Sequence, residues 1–344
     1  MKNVKNVKNV KKILVILAVV SMLALVAMPA FSAPAGEPVE GDGKEYTLRV
    51  STQMADSDPF CDGFRAIAER VAERTGGKFK VLVYPSAQLG SDEDVIEQAL
   101  QGVNVAVVTD AGRMANYVKD IGIVGVAYFA DNYDEMMKVQ DTAYWKECLR
   151  KLADENGIRL LAFNWFAGAR HFLTNKPVKT PADLKGLRIR TPGAPAWSES
   201  IRALGATPIA MGWTEVYTAV QQKAIDGCES QHSANWGIRV FEVLKYIDKT
   251  GHFQLLNGLM VGEKWFRTLP ESYQKLIVEE FHKQGTLTSQ LNIELADRYE
   301  TQMVEKGMEV VEVDVDAFKK AADAAYDVLG FAGLRKQIYT EIGK

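Results

Sequence analysis

The stretch TPADLKGLRIRTPGAPAWSESIRALGATPIAMGWTEVYTAVQQKAIDGCESQ, Thr180–Gln231, decides the fold. Thr180, Pro181 and Asp183 form a capped helical start, so 182–185 reads as one turn. Leu187–Thr191 reads as a strand, with Leu187 and Ile189 on one face and Arg188 and Arg190 on the other. Pro195 opens a helix that Gly205 stops, and Pro208–Met211 is the next strand. A helix begins at Gly212–Thr214 with Val216, Ala219 and Val220 at core spacing, and Ile225–Cys228 is a further strand. Strand and helix alternate, which defines an α/β lobe. Arg190, Trp213 and the Gly227–Gln231 turn fall at successive element ends. A cation, an aromatic plate and a polar turn meeting there suggest a pocket for a small organic anion.

Upstream, the pattern is the same. Tyr46, Leu48 and Val50 alternate as a strand. Ser57 or Asp58 caps a helix with Pro59 in its first turn, an apolar stripe of Phe60, Phe64, Ile67 and Val71, and Gly76-Gly77 after it. Phe79–Tyr84 is a strand, and Ser91 with Asp94 opens a helix that Gly102 closes. Val105–Val108 follows as a third strand. Strand–helix–strand repetition predicts a parallel sheet with right-handed crossovers.

Tyr133–Asn156 reads as one long helix ended by Gly157. Ile158–Asn164 and Arg170–Pro177 read as two strands, and Tyr246–Val261 as an extended return. From Glu271 to Lys306 the pattern is helical, about 50 Å of helix at ~1.5 Å per residue. It is expected either to bend near Gly285 or to bridge two lobes. Val310–Val315 is a last strand before helical segments to the end.

The first residues are of a different kind. Lys2, Lys5, Lys8, Lys11 and Lys12 precede an apolar run, Ile13–Met28, broken by Ser21, and Ala30-Phe31-Ser32 satisfies a small-x-small rule. This reads as a secretory signal peptide (1–32) cleaved after Ser32, because the run is short for a membrane span. The expected product is an exported, periplasmic chain. Losing five lysines moves its formal charge from −3 to −8. Such an acidic chain has no electrostatic footprint for nucleic acid or anionic lipid, so any positive site is local and aimed at a small ligand.

Cys61, Cys148 and Cys228 are too few and too scattered for a disulfide framework or a zinc site, and plain buried cysteines are expected. His171, His232, His252 and His282 show no metal-ligand spacing. No nucleophile elbow, phosphate loop or dinucleotide fingerprint is present, and Glu215 reads as a helix-start residue favoured by the dipole. No enzyme, cofactor or metal site is expected.

Three segments carry a resemblance: QLGSDEDVIEQALQG (88–102), RHFLTNKPVKTPADLKGLRIRTP (170–192) and MGWTEVYTAVQQKAIDG (211–227). With these in order, the chain resembles the DctP-type solute receptors of TRAP (tripartite ATP-independent periplasmic) transporters. The resemblance implies an α/β fold of the two-lobed periplasmic-binding-protein kind (type II-like), with a hinge, a long helix spanning both lobes and ligand in the cleft. Lobe I is expected at 44–167 with about 256–295, and lobe II at 168–255 with about 296–344. It implies a monomer that binds a carboxylate and delivers it to TRAP membrane permease subunits for sodium-driven uptake.

Carried over residue by residue, the resemblance makes Arg190 the carboxylate clamp and Arg170 a second basic contact. It makes Trp213 the aromatic packed on the ligand. Arginine suits the clamp because its planar fork meets both carboxylate oxygens, which lysine as a point charge does not. Where relatives often carry an asparagine, this chain has Ser230 with Gln231 beside it. That shortened group points away from a four-carbon dicarboxylate or sialic acid. Gln53, Asp92 and Asp110 match positions that face the cleft, and Trp236 and Trp165 are further aromatic candidates. The aromatic groups suggest an aromatic or bulky monocarboxylate ligand. Two alternatives are a periplasmic sensor subunit presenting the same ligand to a signalling receptor, and a secreted enzyme.

Overall fold

Two groups of short parallel strands flank a pair of long antiparallel ones. The computed structural model describes residues 36–344, so the expected signal peptide lies outside the described residues. In the first group β1 (Tyr46–Ser51), β2 (Phe79–Tyr84) and β3 (Val105–Asp110) are parallel, with Leu48 opposite Val81 and Val50 opposite Ala106. Later in the chain come β4 (Ile158–Thr174), β5 (Arg188–Thr191), β6 (Thr207–Ala210) and β7 (Gly227–Ser230). β5 lies parallel to both β6 and β7. β8 (Tyr246–Gly262) runs antiparallel to β3 and β4, and β9 (Glu309–Val311) pairs with it in parallel. The sheet order is β2-β1-β3-β8-β4-β7-β5-β6. Parallel pairing within each group follows from the helical crossovers read in the sequence.

The helix starts follow their caps. Asp58 accepts from Phe60 N at 2.9 Å before Pro59–Arg74, and Ser91 and Asp94 close a reciprocal capping box before Asp92–Leu100. Each satisfies an N–H that the first helical turn leaves unpaired.

Four elements differ from the sequence reading. Ile158–Asn164 and Arg170–Pro177 are one strand of 17 residues, β4. Its register on β8 shifts at four places, and Gly168 takes φ +117° between them. Bulges of this kind break the two-residue period, which is why one strand reads as two. The long helix expected at 133–156 is two, Tyr133–Val139 and Ala143–Asn156. Thr142 restarts it by accepting from Trp145 N at 3.2 Å. The last strand ends at Val311, and Val315 already begins a helix that Asp314 caps.

Glu271–Glu305 is one helix of 35 residues that does not stop at Gly285. Glycine is there for space: a Cβ would lie 2.3 Å from Asn164 Oδ1 and 2.7 Å from Trp165 Cδ1. The helix meets the first half of the molecule through a buried pair, Arg70 Nε to Glu280 at 2.6 Å, with Arg74 on the same carboxylate at 2.7 Å. Further along it packs on the helix His232–Gly237. It therefore bridges the two halves, the second of the two expected outcomes.

Trp165 belongs to this packing. It is fully buried, its ring centre lies 4.7 Å from Phe64 and 5.1 Å from Phe60, and its N–H donates to Phe281 O at 3.0 Å. The three cysteines are free and buried. Among the described residues no helix is long and apolar enough to cross a membrane.

Candidate functional site

The ends of β1, β3, β5 and β7 converge on a cavity with about 600 Å³ of unfilled space, mouth included. Gln53, Asp92, Asp110, Arg170, Arg190, Trp213, Ser230 and Gln231 line it together. Of the expected site residues two are elsewhere: Trp165 is in the packing under the long helix, and Trp236 lies outside the cavity. Trp236 packs on Phe241, ring centres 5.0 Å apart, in a separate surface groove, because it lies on the outer side of a short helix rather than at a strand end.

Arg190 shows what the strand end does. Arg188, two residues earlier on the same face, is partly exposed and paired with Asp226 at 3.0 Å. Arg190 is 3% exposed. Its Nε donates to Met211 O at 3.0 Å, and its guanidinium lies 5.1 Å from the Trp213 ring centre. It has no carboxylate partner among the described residues. Burial, then the nearby Arg170 charge, pushes it down to about 10, which leaves it charged at neutral pH.

Arg170 is held from behind. Its Nη2 donates to Glu229 Oε1 at 2.8 Å and to Glu229 O at 2.6 Å, and its Nε meets the other carboxylate oxygen. Thr191 Oγ1 also donates to Glu229, at 2.9 Å. Burial alone raises the Glu229 carboxyl, but the Arg170 guanidinium overrides it and holds the group at about 2. The remaining Arg170 nitrogen, Nη1, faces Gln231, whose Oε1 accepts from it at 3.0 Å and from Ser230 Oγ at 3.2 Å.

The opposite wall is acidic. Asp110, at the end of β3, accepts from Trp197 Nε1 at 2.8 Å and from Arg113 N at 3.0 Å. Arg113 also pairs with the Asp110 carboxylate and reaches Asp92 at 3.2 Å. Asp92 accepts from Gln53 Nε2 at 2.6 Å. Burial raises the Asp92 carboxyl, and Arg113 opposes that shift.

Sequence reasoning missed Trp197, Arg113 and Asn257, which also line the cavity. Arg113 had a signal, the i,i+3 spacing from Asp110. Trp197 stands in the first turn after Pro195, beyond a strand end, the same position that singled out Trp213. Asn257 had none, because it comes from the middle of β8.

The family described as bacterial extracellular solute-binding protein, family 7 (DctP) matches residues 50–331, and the chain belongs to it. A TRAP periplasmic solute-binding protein from Ochrobacterium anthropi with bound L-fuconate is 33% identical. The two superpose with a TM-score of 0.84 over 87% of this chain and 99% of that one. One from Actinobacillus succinogenes with bound L-galactonate is 27% identical, with a TM-score of 0.82 over 86% and 99%. The sialic acid-binding periplasmic protein SiaP of Vibrio cholerae is 25% identical over 284 residues, 81% of this chain and 87% of its own. The fold is thus the two-lobed one of TRAP periplasmic receptors, and the chain is a solute-binding receptor of that transporter class.

Proposed function

We propose that this receptor works in the periplasm, closes on a hydroxylated monocarboxylate of the sugar-acid kind and hands it to a TRAP permease for sodium-driven uptake. The observation that carries the reading is Arg190. A guanidinium that is 3% exposed and paired only with a carbonyl oxygen is a buried cation lacking its counter-ion. The ligand carboxylate supplies it, bidentate on the guanidinium fork, with Arg170 Nη1 as second contact. Trp213 walls the same end.

The rest of the ligand then meets Asp92, Asp110 and Gln53, which accept hydrogen bonds from hydroxyl groups. A second carboxylate at that end would face two buried acids, so a dianion is disfavoured. An aromatic ligand gains less from the tryptophans than their number suggests. Trp213 packs on Arg190 at 5.1 Å and Trp197 on Arg170 at 5.0 Å. The relatives with bound L-fuconate and L-galactonate support the same ligand class. Sequence and packing suggest lobe I at 44–167 with about 256–295, and the remainder as lobe II, with the final helix Ala332–Ile342 returning to Tyr133–Val139.

Mass spectrometry of small molecules released from the denatured, freshly purified protein tests the reading, followed by calorimetry with the acid found. A released ligand without a carboxylate sinks it.

A further inference from the structure

Trp197 sits in the helix Pro195–Ala203, on the β5 side of the cavity, and is 2% exposed. Its indole reaches the β3 side. There Nε1 donates to Asp110 at 2.8 Å, and the ring edge lies over Gly112. A Cβ on Gly112 would stand 2.2 Å from Nε1 and 2.5 Å from Cδ1 of that indole. Real Cβ atoms do not approach so closely. The notch is made by the absent side chain alone, since Gly112 is not among the glycines with positive φ and its backbone suits any residue. The same helix also meets the chain 15 residues beyond Gly112, where Ala127 N donates to Ser200 Oγ at 3.0 Å. Around the same indole, Arg170 lies 5.0 Å from the ring centre and Phe253 packs edge-on with ring centres 4.3 Å apart.

We propose that Gly112 is a positioning residue for closure, the notch into which Trp197 seats when the two lobes meet over the ligand. This rests on the receptor reading above. Gly112 does not line the cavity, so it acts only through the tryptophan. A side chain there leaves the open protein and its first encounter with ligand intact, and shortens the life of the closed complex.

Gly112→Ala separates these effects, read by stopped-flow and calorimetry with L-galactonate and L-fuconate in turn. The association rate stays within about threefold of wild type, while the dissociation rate rises about tenfold or more. The ligand-free melting temperature stays within about 2 °C. Trp197→Ala, which takes the whole ring out of the notch and loses the Asp110 bond, weakens binding on its own. The double variant then binds no more weakly than Trp197→Ala alone, because the clash is gone.

Wild-type affinity in Gly112→Ala overturns the latch and leaves the receptor reading standing. So do two losses that multiply in the double variant, or a ligand-free melting temperature that falls in step with affinity, which marks fixed packing. A wild-type chain that binds neither acid overturns the ligand reading, and the latch that rests on it.

Discussion

The main-chain N–H of Trp213 donates to Gln53 Oε1 at 2.6 Å, joining residues 160 positions apart across the cavity. The amide nitrogen of the same glutamine donates to Asp92 at 2.6 Å. One side chain thus ties the end of β1 to the wall that carries Trp213 and to the acidic end. Gln53→Ala leaves a buried N–H and a buried carboxylate each short of a partner, a loss of about 1–3 kcal/mol apiece. Ligand affinity is expected to fall about tenfold. Calorimetry showing less than a twofold change means the bridge does not hold the closed form.

Arg190→Ala removes the cation proposed to meet the ligand carboxylate. Binding weakens by about 2–5 kcal/mol, roughly thirtyfold or more. Arg190→Lys restores charge without the fork and falls between the two. Equal affinity for alanine and wild type ends the carboxylate-clamp assignment.

On the proposed orientation of the ligand, the acidic end sets selectivity. Asp92→Asn removes a buried negative charge while keeping an acceptor for Gln53. The preference for a monocarboxylate over a dicarboxylate of similar length should shrink several-fold, on the order of 1 kcal/mol. A preference that holds or grows in competition binding contradicts the proposed orientation of the ligand.

The acid limb of stability belongs partly to Glu229. Its folded-state carboxyl lies at about 2, below the usual value of 4.5. A depressed acid contributes stability in full above its unfolded value, and the contribution fades as pH falls from 4.5 toward 2. Glu229→Gln strands the buried Arg170 and costs about 3–5 kcal/mol at pH 7. The melting-temperature gap to wild type therefore narrows between pH 4.5 and pH 3. A gap that stays constant over that range refutes the assignment.

Gly285→Ala reads the close approach of the long helix to β4. In an exposed helix that change gains about 1 kcal/mol. Here the new methyl meets Asn164 and Trp165, and overpacking should cost about 1–3 kcal/mol. A rise in melting temperature would show that the contact relaxes freely.

The alternating pattern and the caps made most of this architecture legible in the sequence. Asp58, Ser91 and Asp183 stand where they were read, because a cap is a local hydrogen bond written in adjacent residues. β4 reads as two strands because its bulges answer to β8, 92 residues later in the pairing of Trp165 with Asn257. The site divides the same way. Arg190 and Trp213 sit at strand and helix ends that local pattern locates. The acid behind Arg170 comes from β7, and the Trp197–Asp110 bond spans two halves of the chain, so neither can be read from neighbours in sequence. Trp236 was misplaced because an aromatic near a strand end has two sides to face.

Arg113, Arg170 and Arg190 stand at the cavity with four buried acids, Asp58, Asp92 and Asp110 in its lining and Glu229 behind Arg170, so the formal count is one unit negative. A bound monoanion leaves that shell two units negative. The cavity is therefore no long-range trap for anions: on the proposed clamp its hold is a matter of contact with Arg190, and it lapses within a few ångströms once the lobes part. A receptor that must release its ligand is well served by such a shell.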